Sequence, residues 1–169
     1  MSKILSKDYF LRPATELAPE LLGKLLCRKI ENEVIKLRIL ETECYFGEED
    51  TACHAHKGRT TRTDIMYEAG GNAYVYLCYG IHSLLNITTG EDGHPEAVLI
   101  RAVEGAIGPG RLTKRLLIDR ALNRLPLCEE SGLWLEDDGT CPEYTAAPRV
   151  GIDYASDEDR ARLWRFILK

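Results

Sequence analysis

The sequence has no long hydrophobic run and no leader-like start. None of its 169 residues lie in a stretch that approaches the roughly 18 uninterrupted apolar residues of a membrane span. Segment 1–10 carries Lys3, Lys7 and Asp8 where a signal peptide would be apolar. Internal repeats, low-complexity tracts and linkers are also missing. We therefore expect no membrane partner, an intracellular location, and one domain over residues 1–169 that acts as a monomer.

Closely paired cysteines are absent as well. The cysteines are Cys27, Cys44, Cys53, Cys78, Cys128 and Cys141. They include no CxxC pair and lack the density of a small disulfide scaffold, so we expect free thiols, most of them packed as small hydrophobic side chains. A zinc site built from Cys53, His54 and His56 is conceivable, but no second pair of ligands matches it. The sequence therefore predicts neither a metal ion nor a cofactor.

Positive charge is in deficit, because the formal net charge is −5. Proteins that bind nucleic acids rely on cations that face phosphates, so composition alone does not indicate such a partner. The basic residues are nevertheless clustered: six of them stand against two acids between residues 101 and 124, and Lys57, Arg59 and Arg62 form a second group. The acids expected to form a solvated edge are Glu129, Glu130, Glu136, Asp137, Asp138 and Glu143. Ordinary surface charge remains the alternative for all of these groups.

Hydrophobic periodicity predicts a chain of mixed α and β structure. Leucines at helical spacing indicate a core-facing helix over 15–27, and a cationic helix over 111–125 is expected to end before Pro126. Strands are predicted at 33–45, 73–79, 83–89, 97–103, 132–135, 149–152 and 164–168, with a polar loop at 46–62 and a short helix at 63–69. Because strands dominate the middle without βαβ alternation, we expect an α+β fold: a single mixed domain with a curved, mostly antiparallel, open barrel-like sheet flanked by helices.

Two carboxylates and a phenol share one face of the predicted strand 33–45. Glu41, Glu43 and Tyr45 lie on the same side because side chains in a strand alternate with a period of two. Carboxylates are poor core material, so this face is either a solvated edge or a place where acids are held for a purpose. The residue types alone leave both possibilities open.

Aromatic side chains mark a second strand. Tyr74 and Tyr76 fall on one face of the predicted strand 73–79, and Tyr79 stands beside Gly80, where a turn would project it outward. Such a stripe commonly belongs to a core or to cross-strand packing. Exposed aromatic side chains beside cations suit instead a surface on which nucleic-acid bases stack.

Several segments together resemble the alkyladenine DNA glycosylase family. They agree with it in order and at nearly the same spacings, from about Leu17 to Phe166, so the joint match is far more specific than any single motif. The segments are Glu41-Thr42-Glu43-Cys44-Tyr45, His54, Tyr74-Val75-Tyr76-Leu77-Cys78-Tyr79-Gly80, Asn86, Arg101 and Gly108-Pro109-Gly110-Arg111-Leu112. The resemblance implies a mixed domain with a curved antiparallel sheet and an enzyme that removes damaged purines from DNA.

The resemblance also implies a role for each matching residue. Glu43 matches the general base that deprotonates the attacking water, and Arg101 matches an arginine that helps hold this water near the sugar. The residues that match the base pocket and the wedge are Tyr45, His54 and Tyr76, which sandwich the flipped base, Asn86, which screens purines, and Tyr79, which fills the gap in the duplex. The basic residues expected to contact DNA are Lys57, Arg59, Arg62, Arg111 and Lys114.

The predicted reaction is hydrolysis of the N-glycosidic bond of alkylated or deaminated purines in double-stranded DNA, as in base excision repair. No lysine occupies a matching pocket position and no metal cluster is apparent, which predicts a monofunctional, metal-independent enzyme. Because the sequence shows no secretion signal, we expect this enzyme in the cytoplasm or on the nucleoid. Two alternatives remain open: a non-catalytic nucleic-acid-binding module of the same fold, and a hydrolase of free modified nucleosides.

Overall fold

Strands form most of the regular structure in the computed structural model, which describes residues 1–169. The strands are β1 Lys3–Ile4, β2 Leu25–Ile30, β3 Glu33–Phe46, β4 Ala73–Cys78, β5 His82–Thr88, β6 Glu96–Val103, β7 Ala106–Ile107, β8 Leu133–Asp137, β9 Tyr144–Ala147 and β10 Arg165–Leu168. The α-helices are α1 Ala14–Glu20, α2 Pro109–Arg115 and α3 Asp157–Ala161. Short 3-10 helices lie at Lys7–Leu11, His54–Lys57, Asp64–Tyr67, Arg120–Leu122 and Glu129–Ser131. None of the helices has the length and apolar character needed to cross a membrane.

The strands form one open sheet in the order β1-β8-β2-β3-β6-β5-β4, with β10 paired to β3 and β9, and β7 paired to β6. Every pair is antiparallel. The long strand β3 joins the two halves of the sheet, because its first part pairs with β2 and its second part pairs with β6 and β10. This arrangement confirms the predicted α+β fold with a mostly antiparallel, unclosed sheet.

The two faces of β3, β6, β5 and β4 differ in character. Glu43 lies opposite Leu99 in the register of the sheet, and Leu99 lies opposite Asn86. Asn86 in turn lies opposite Tyr74, so these side chains point to the same side of the sheet. The alternate residues point to the other side and belong to the hydrophobic core; they include Cys44, Val75, Leu85, Ile87, Val98 and Ile100. Helix α1 packs against β3 and β6, so one face is core and the opposite face is left for a site.

The predicted helix over 15–27 is wrong in its second half. Helix α1 ends at Glu20, Gly23 adopts a φ of +84°, and β2 begins at Leu25. Leucines before and after this break are buried in the same core, so their helical spacing reflects burial on two elements and not one helix. The second half is a strand because β3 and β8 flank it on both sides, a tertiary context that overrides local propensity.

Two further predicted elements are also wrong. The cationic helix over 111–125 stops at Arg115, and Leu117 leaves the helical conformation with a φ of +49°. Residues 149–152 form a loop, because the backbone N–H of Val150 bonds to a side chain instead of to a neighbouring strand. The strand of this region is β9, which pairs with β10. In contrast, β4, β5 and β6 agree with the predicted strands to within one residue at each end.

The acidic segment 129–143 is not the fully solvated edge that composition predicts. Glu136 is buried, and its carboxylate accepts hydrogen bonds from Lys36 Nζ and Trp134 Nε1. Burial alone would raise the pKa of Glu136, but the hydrogen bonds from Lys36, Ser2 and Trp134 outweigh it and lower this pKa to about 2. This carboxylate is therefore a structural anchor of β8.

Candidate active site

An open cleft of about 840 Å³ lies on the face of the sheet opposite the hydrophobic core. Strands β3, β6, β5 and β4 supply its floor, and the loop 150–154, the 3-10 helix His54–Lys57 and the start of α2 contribute residues to its walls. The predicted site residues that line it are Tyr45, His54, Arg62, Tyr76, Tyr79, Asn86, Arg101, Arg111 and Lys114. Glu43 lies beneath the lining, while Lys57 and Arg59 lie outside the cleft. Residues from distant parts of the sequence thus meet at one place.

Glu43 is completely buried, with 0% of its surface exposed, and both of its carboxylate oxygens are hydrogen-bonded. Tyr45 OH donates to Oε1 at 2.8 Å, and the backbone N–H of Val150 donates to Oε2 at 2.7 Å. Arg101 Nη1 lies 3.7 Å from Oε1. Burial raises the pKa of Glu43, and Arg101, Val150 and Tyr45 act against this shift without cancelling it. The environment therefore favours the protonated form of Glu43 more than water does.

Arg101 owes its position to an irregularity in the pairing of β3 with β6. Glu41 lies opposite Ala102 and Thr42 lies opposite Ile100, so Arg101 falls between two paired positions. Such β-bulges are common beside active sites, where they change the direction of a side chain. Arg101 Nε donates to Glu41 Oε1 at 3.2 Å. Arg165 Nη1 donates to the same oxygen at 3.1 Å, so the Glu41 carboxylate bridges two arginines.

Three aromatic rings are packed together at one side of the cleft. The ring centroids of His54 and Tyr76 lie 4.6 Å apart with their planes at 72°, and those of Tyr74 and Tyr76 lie 5.4 Å apart. His54 Nδ1 is 2.9 Å from Tyr74 OH, which fixes the imidazole ring. Burial, together with the charge of Arg62, lowers the pKa of His54 to about 4, so this ring is neutral at neutral pH. The cleft thus presents uncharged aromatic surfaces.

Asn86 forms part of the floor between these rings and Glu43. It is buried, and its Nδ2 donates to the backbone oxygen of Tyr74 at 3.2 Å. This hydrogen bond holds the amide plane in one orientation at the edge of the cleft. A fixed amide can discriminate between ligands by the donors and acceptors on their rims.

The basic residues of the 57–62 segment occupy different positions. The guanidinium of Arg62 lies over the ring of Tyr76, 5.1 Å from its centroid, inside the cleft. Arg59 instead pairs with Asp64 and lies over the ring of Tyr67. Arg62 is therefore the member of this group that reaches the cleft.

Tyr79 stands at the tip of the hairpin that joins β4 and β5, where 92% of its surface is exposed. The backbone N–H of Ile81 donates to the oxygen of Cys78 at 3.1 Å and closes a tight turn. Both central residues of this turn have positive φ, +52° for Tyr79 and +67° for Gly80. The outward projection predicted for Tyr79 is confirmed.

The three residues weighed as zinc ligands, Cys53, His54 and His56, do not form a metal site. All six cysteines are free, as predicted. His54 Nδ1 faces Tyr74, whereas His56 Nδ1 lies 2.6 Å from the backbone oxygen of Glu48. No group of three or more His, Cys, Asp or Glu side chains is suited to hold a metal ion.

Sequence reasoning missed the residues that complete the site from behind. Val150 caps Glu43, and Arg149 lies under Tyr45, with its Cζ 5.0 Å from the ring centroid. Asp50 pairs with Arg149 in the interior. Neither the loop 149–152 nor an isolated aspartate carries a local pattern that marks it, because these contacts join segments about 100 residues apart.

This architecture defines a class of protein with an aromatic cleft above a buried carboxylate and beneath a basic rim. The family model for methylpurine-DNA glycosylase matches residues 8–107 and 105–169. The chain belongs to the methylpurine-DNA glycosylase family and is a DNA glycosylase, which confirms the predicted family and enzyme class.

Several curated relatives are similar over nearly the whole chain, and each bears the name "Putative 3-methyladenine DNA glycosylase". A relative from Psychrobacter cryohalolentis is 44% identical, with 93% of this chain and 88% of the relative covered. One from Methanocella arvoryzae is 44% identical over 96% of this chain and 91% of its own length. Another from Borreliella afzelii is 41% identical over 98% of this chain and 96% of its own length.

Proposed function

We propose that this protein releases alkylated or deaminated purines from double-stranded DNA by hydrolysing the N-glycosidic bond with water activated by Glu43. One observation carries the proposal: the register of the sheet places Glu43, Leu99, Asn86 and Tyr74 in a row across four strands, which sets a buried carboxylate directly below an aromatic cleft. The relatives named for 3-methyladenine support this class of substrate.

Glu43 has the surroundings that a general base requires. Cleavage of a glycosidic bond builds positive charge on the sugar, so a nearby carboxylate stabilises this charge and also accepts a proton from the attacking water. Each carboxylate oxygen of Glu43 accepts one hydrogen bond and has a second lone pair for water. Arg101, 3.7 Å from Oε1, favours the ionised form and helps to hold the water.

The cleft suits a base that has left the duplex. An enzyme cannot reach the glycosidic bond inside the stack, so it extrudes the nucleotide and stacks the base on aromatic side chains. Tyr45, Tyr76 and His54 provide such surfaces, and the neutral imidazole does not repel an electron-poor, alkylated purine. In the free protein Arg62 covers one face of Tyr76, so we expect the base to displace it on entry.

The Glu43→Gln variant tests the proposed base. The substitution removes the proton acceptor and its charge but keeps the volume, so single-turnover release of an alkylated purine from duplex DNA should fall by a factor of ~10² to 10⁴ while DNA affinity stays nearly unchanged. Glu33→Gln, at the exposed start of the same strand, is the matched control and should keep the wild-type rate. Near-normal excision by Glu43→Gln would move the base assignment elsewhere.

The same assay separates the alternatives. Equal cleavage of free methylated nucleosides would identify a nucleoside hydrolase, and duplex binding without release of any base would identify a binding module. Both outcomes would overturn the proposal.

We also predict that the enzyme is monofunctional. Attack by an amine would require a lysine in the cleft, and Lys114 is the only lysine among the lining residues. Lys114 belongs to the exposed face of α2 and suits a phosphate contact. Borohydride added during turnover should therefore trap no covalent complex, and base release should continue in EDTA. A trapped adduct that disappears in Lys114→Ala would make this lysine the nucleophile.

A further inference from the structure

Arg149 is a buried cation directly behind the cleft. The exposed fractions of the Arg149 and Asp50 side chains are 0% and 1%. Arg149 donates from Nη1 to Asp50 Oδ2 at 2.7 Å and from Nη2 to Oδ1 at 2.9 Å. Removing two charges from water is expensive, and such pairs are often no better for stability than apolar residues. This pair therefore calls for an explanation other than stability.

The guanidinium of Arg149 lies over two aromatic rings. Its Cζ lies 5.0 Å from the ring centroid of Tyr45 and 5.0 Å from that of Trp164. A planar cation held on a tyrosine face favours one orientation of the ring. The hydroxyl of this ring is the group that donates to Glu43 Oε1.

Arg149 also anchors the backbone that caps the other oxygen of Glu43. Its neighbour Val150 donates its backbone N–H to Oε2, although the surrounding loop pairs with no strand. Arg149 ties this loop to the sheet through a hydrogen bond from Nη1 to the backbone oxygen of Cys44 at 2.9 Å. A shift of Arg149 would therefore move the Val150 donor.

We infer that Arg149 is a positioning residue, which uses one side chain to place both hydrogen-bond donors of Glu43, the Tyr45 hydroxyl and the Val150 N–H. Asp50 holds it in place, and accepts from the backbone N–H groups of Phe46 and Ala52 in addition. The inference rests on the proposed function insofar as it concerns the catalytic rate. The placement of the Glu43 carboxyl group itself does not depend on that function.

The charged groups around Glu43 predict the direction of a pH effect. The Glu43 carboxyl group is faced by Arg101 from β6, by Tyr45 from β3 and by Arg149 from the loop 149–152. Arg165 on β10 forms its ion pair with Glu41 instead. Tyr45, Val150 and Arg149 all favour the ionised carboxylate, so disturbing them raises the pKa of Glu43. A base acts only when ionised. The acidic limb of the rate profile should therefore move to higher pH when Arg149 is replaced.

Two variants test the inference, with one control. Arg149→Lys keeps the charge but loses the planar fork, and the double variant Arg149→Met/Asp50→Asn leaves no unpaired charge in the interior. Arg162→Met is the matched control, because Arg162 also lies over the ring of Trp164, at 4.8 Å, but its own side chain is 40% exposed and makes no hydrogen bond to Tyr45, Val150 or Glu43; it pairs with the exposed Glu158 and the buried Asp159. In the two Arg149 variants, single-turnover base release should fall by a factor of about 10 to 100, as expected for a misplacement near 1 Å. The control should keep the wild-type rate and profile.

A readout independent of activity separates this inference from the proposed function. The side-chain carboxyl carbon of Glu43, followed by NMR during a pH titration of the free protein, should titrate at higher pH in both Arg149 variants and at the wild-type pH in Arg162→Met. If Glu43→Gln retains excision, the proposed function fails, yet the titration still decides the role of Arg149. If Glu43 titrates at the wild-type pH in an Arg149 variant that keeps the native fold, Arg149 has only a structural role and the inference is overturned. A lower melting temperature of that variant does not change this conclusion.

Discussion

At Glu43, burial and hydrogen bonding act in opposite directions on one carboxyl group. Burial raises the pKa of this group, and the contacts with Arg101, Val150 and Tyr45 only partly reverse the rise. The ionised form is therefore less favourable in the folded protein than in the unfolded chain. A carboxylate kept ionised in this place reduces stability at neutral pH, as is common for groups with perturbed pKa values at functional sites.

The Glu43→Gln variant should therefore melt at a higher temperature than the wild type near neutral pH. Because the folded-state pKa is raised, the contribution of this carboxyl group to stability is fully present below its ordinary pKa and is lost as the pH rises through the folded-state value. Glutamine does not titrate, so the advantage of the variant should shrink on acidification. Thermal melts at a series of pH values measure this, with Glu33→Gln as the exposed control.

A constant loss of stability at every pH would contradict this prediction. It would mean that the two donors to Glu43 stabilise the protein through hydrogen bonds that glutamine cannot replace, and that the ionisation of the group has no net cost.

The residues of the cleft differ in how far the sequence could predict them. Tyr45, His54, Tyr76, Asn86 and Arg101 all belong to matching motifs, and all of them line the cleft. The sequence also predicts that Glu43 and Tyr45 share a strand face, but not that the hydroxyl of one donates to the other. That bond depends on side-chain torsions, which no spacing rule fixes.

The hairpin of β4 and β5 combines an aromatic tip with a conformation that aromatic residues rarely adopt. Tyr79 has a φ of +52°, in the left-handed region favoured by glycine and asparagine. Since 92% of its surface is exposed, packing does not compensate for this strain. A strained, exposed tyrosine suits the proposed role of a wedge that fills the space left by a flipped base.

Replacing Tyr79 should therefore separate stability from function. Tyr79→Asn should increase the free energy of unfolding by about 1 kcal/mol, because asparagine tolerates the left-handed conformation. The same variant should capture the flipped state poorly, as reported by a fluorescent base analogue at the lesion, whereas Tyr79→Phe should retain capture. A destabilised Tyr79→Asn would instead show that the ring is part of the packing.

Elements marked by short apolar runs could be predicted, and those defined by tertiary contacts could not. Strands β4 to β6 were predicted to within one residue because each is a short run of apolar, aromatic or β-branched residues next to glycine-containing turns. Leu25 and Leu26 continue the helical spacing of the preceding leucines, and only the pairing with β3 and β8 decides for a strand. The loop at Val150 is shaped by contacts with Glu43 and Asp50, which are more than 90 residues away.

Charge is distributed unevenly over the molecule as a whole. The cleft is bordered by Arg62, Arg111 and Lys114, although the net charge is −5. The acids at the end of β8 lie away from this border, because β8 is near the opposite end of the sheet from β4. One of them, Asp138, forms an ion pair with Arg38. A negative protein can therefore present a positive border to a polyanion.

The salt dependence of DNA affinity should show which cations face phosphates. Arg111 and Lys114 line the cleft, so replacing both by alanine should make the slope of log affinity against log salt shallower by about 1.8, at about 0.9 for each contact. Arg115 belongs to the same helix but does not line the cleft, and Arg115→Ala should leave the slope unchanged. Equal effects of the two changes would mean that α2 binds DNA in another orientation.

The surroundings of Glu43 are completed by residues from late in the chain. Val150 caps one oxygen, and Arg165 on β10 lies opposite Glu43 in the sheet. During synthesis on the ribosome, the aromatic rings and the basic border therefore emerge well before the groups that finish the site. A nascent or prematurely released chain that stops before Pro148 would carry the parts proposed to contact DNA but not the Val150 donor to the carboxylate. Under the proposed mechanism, hydrolysis begins only once the chain has been translated past Val150.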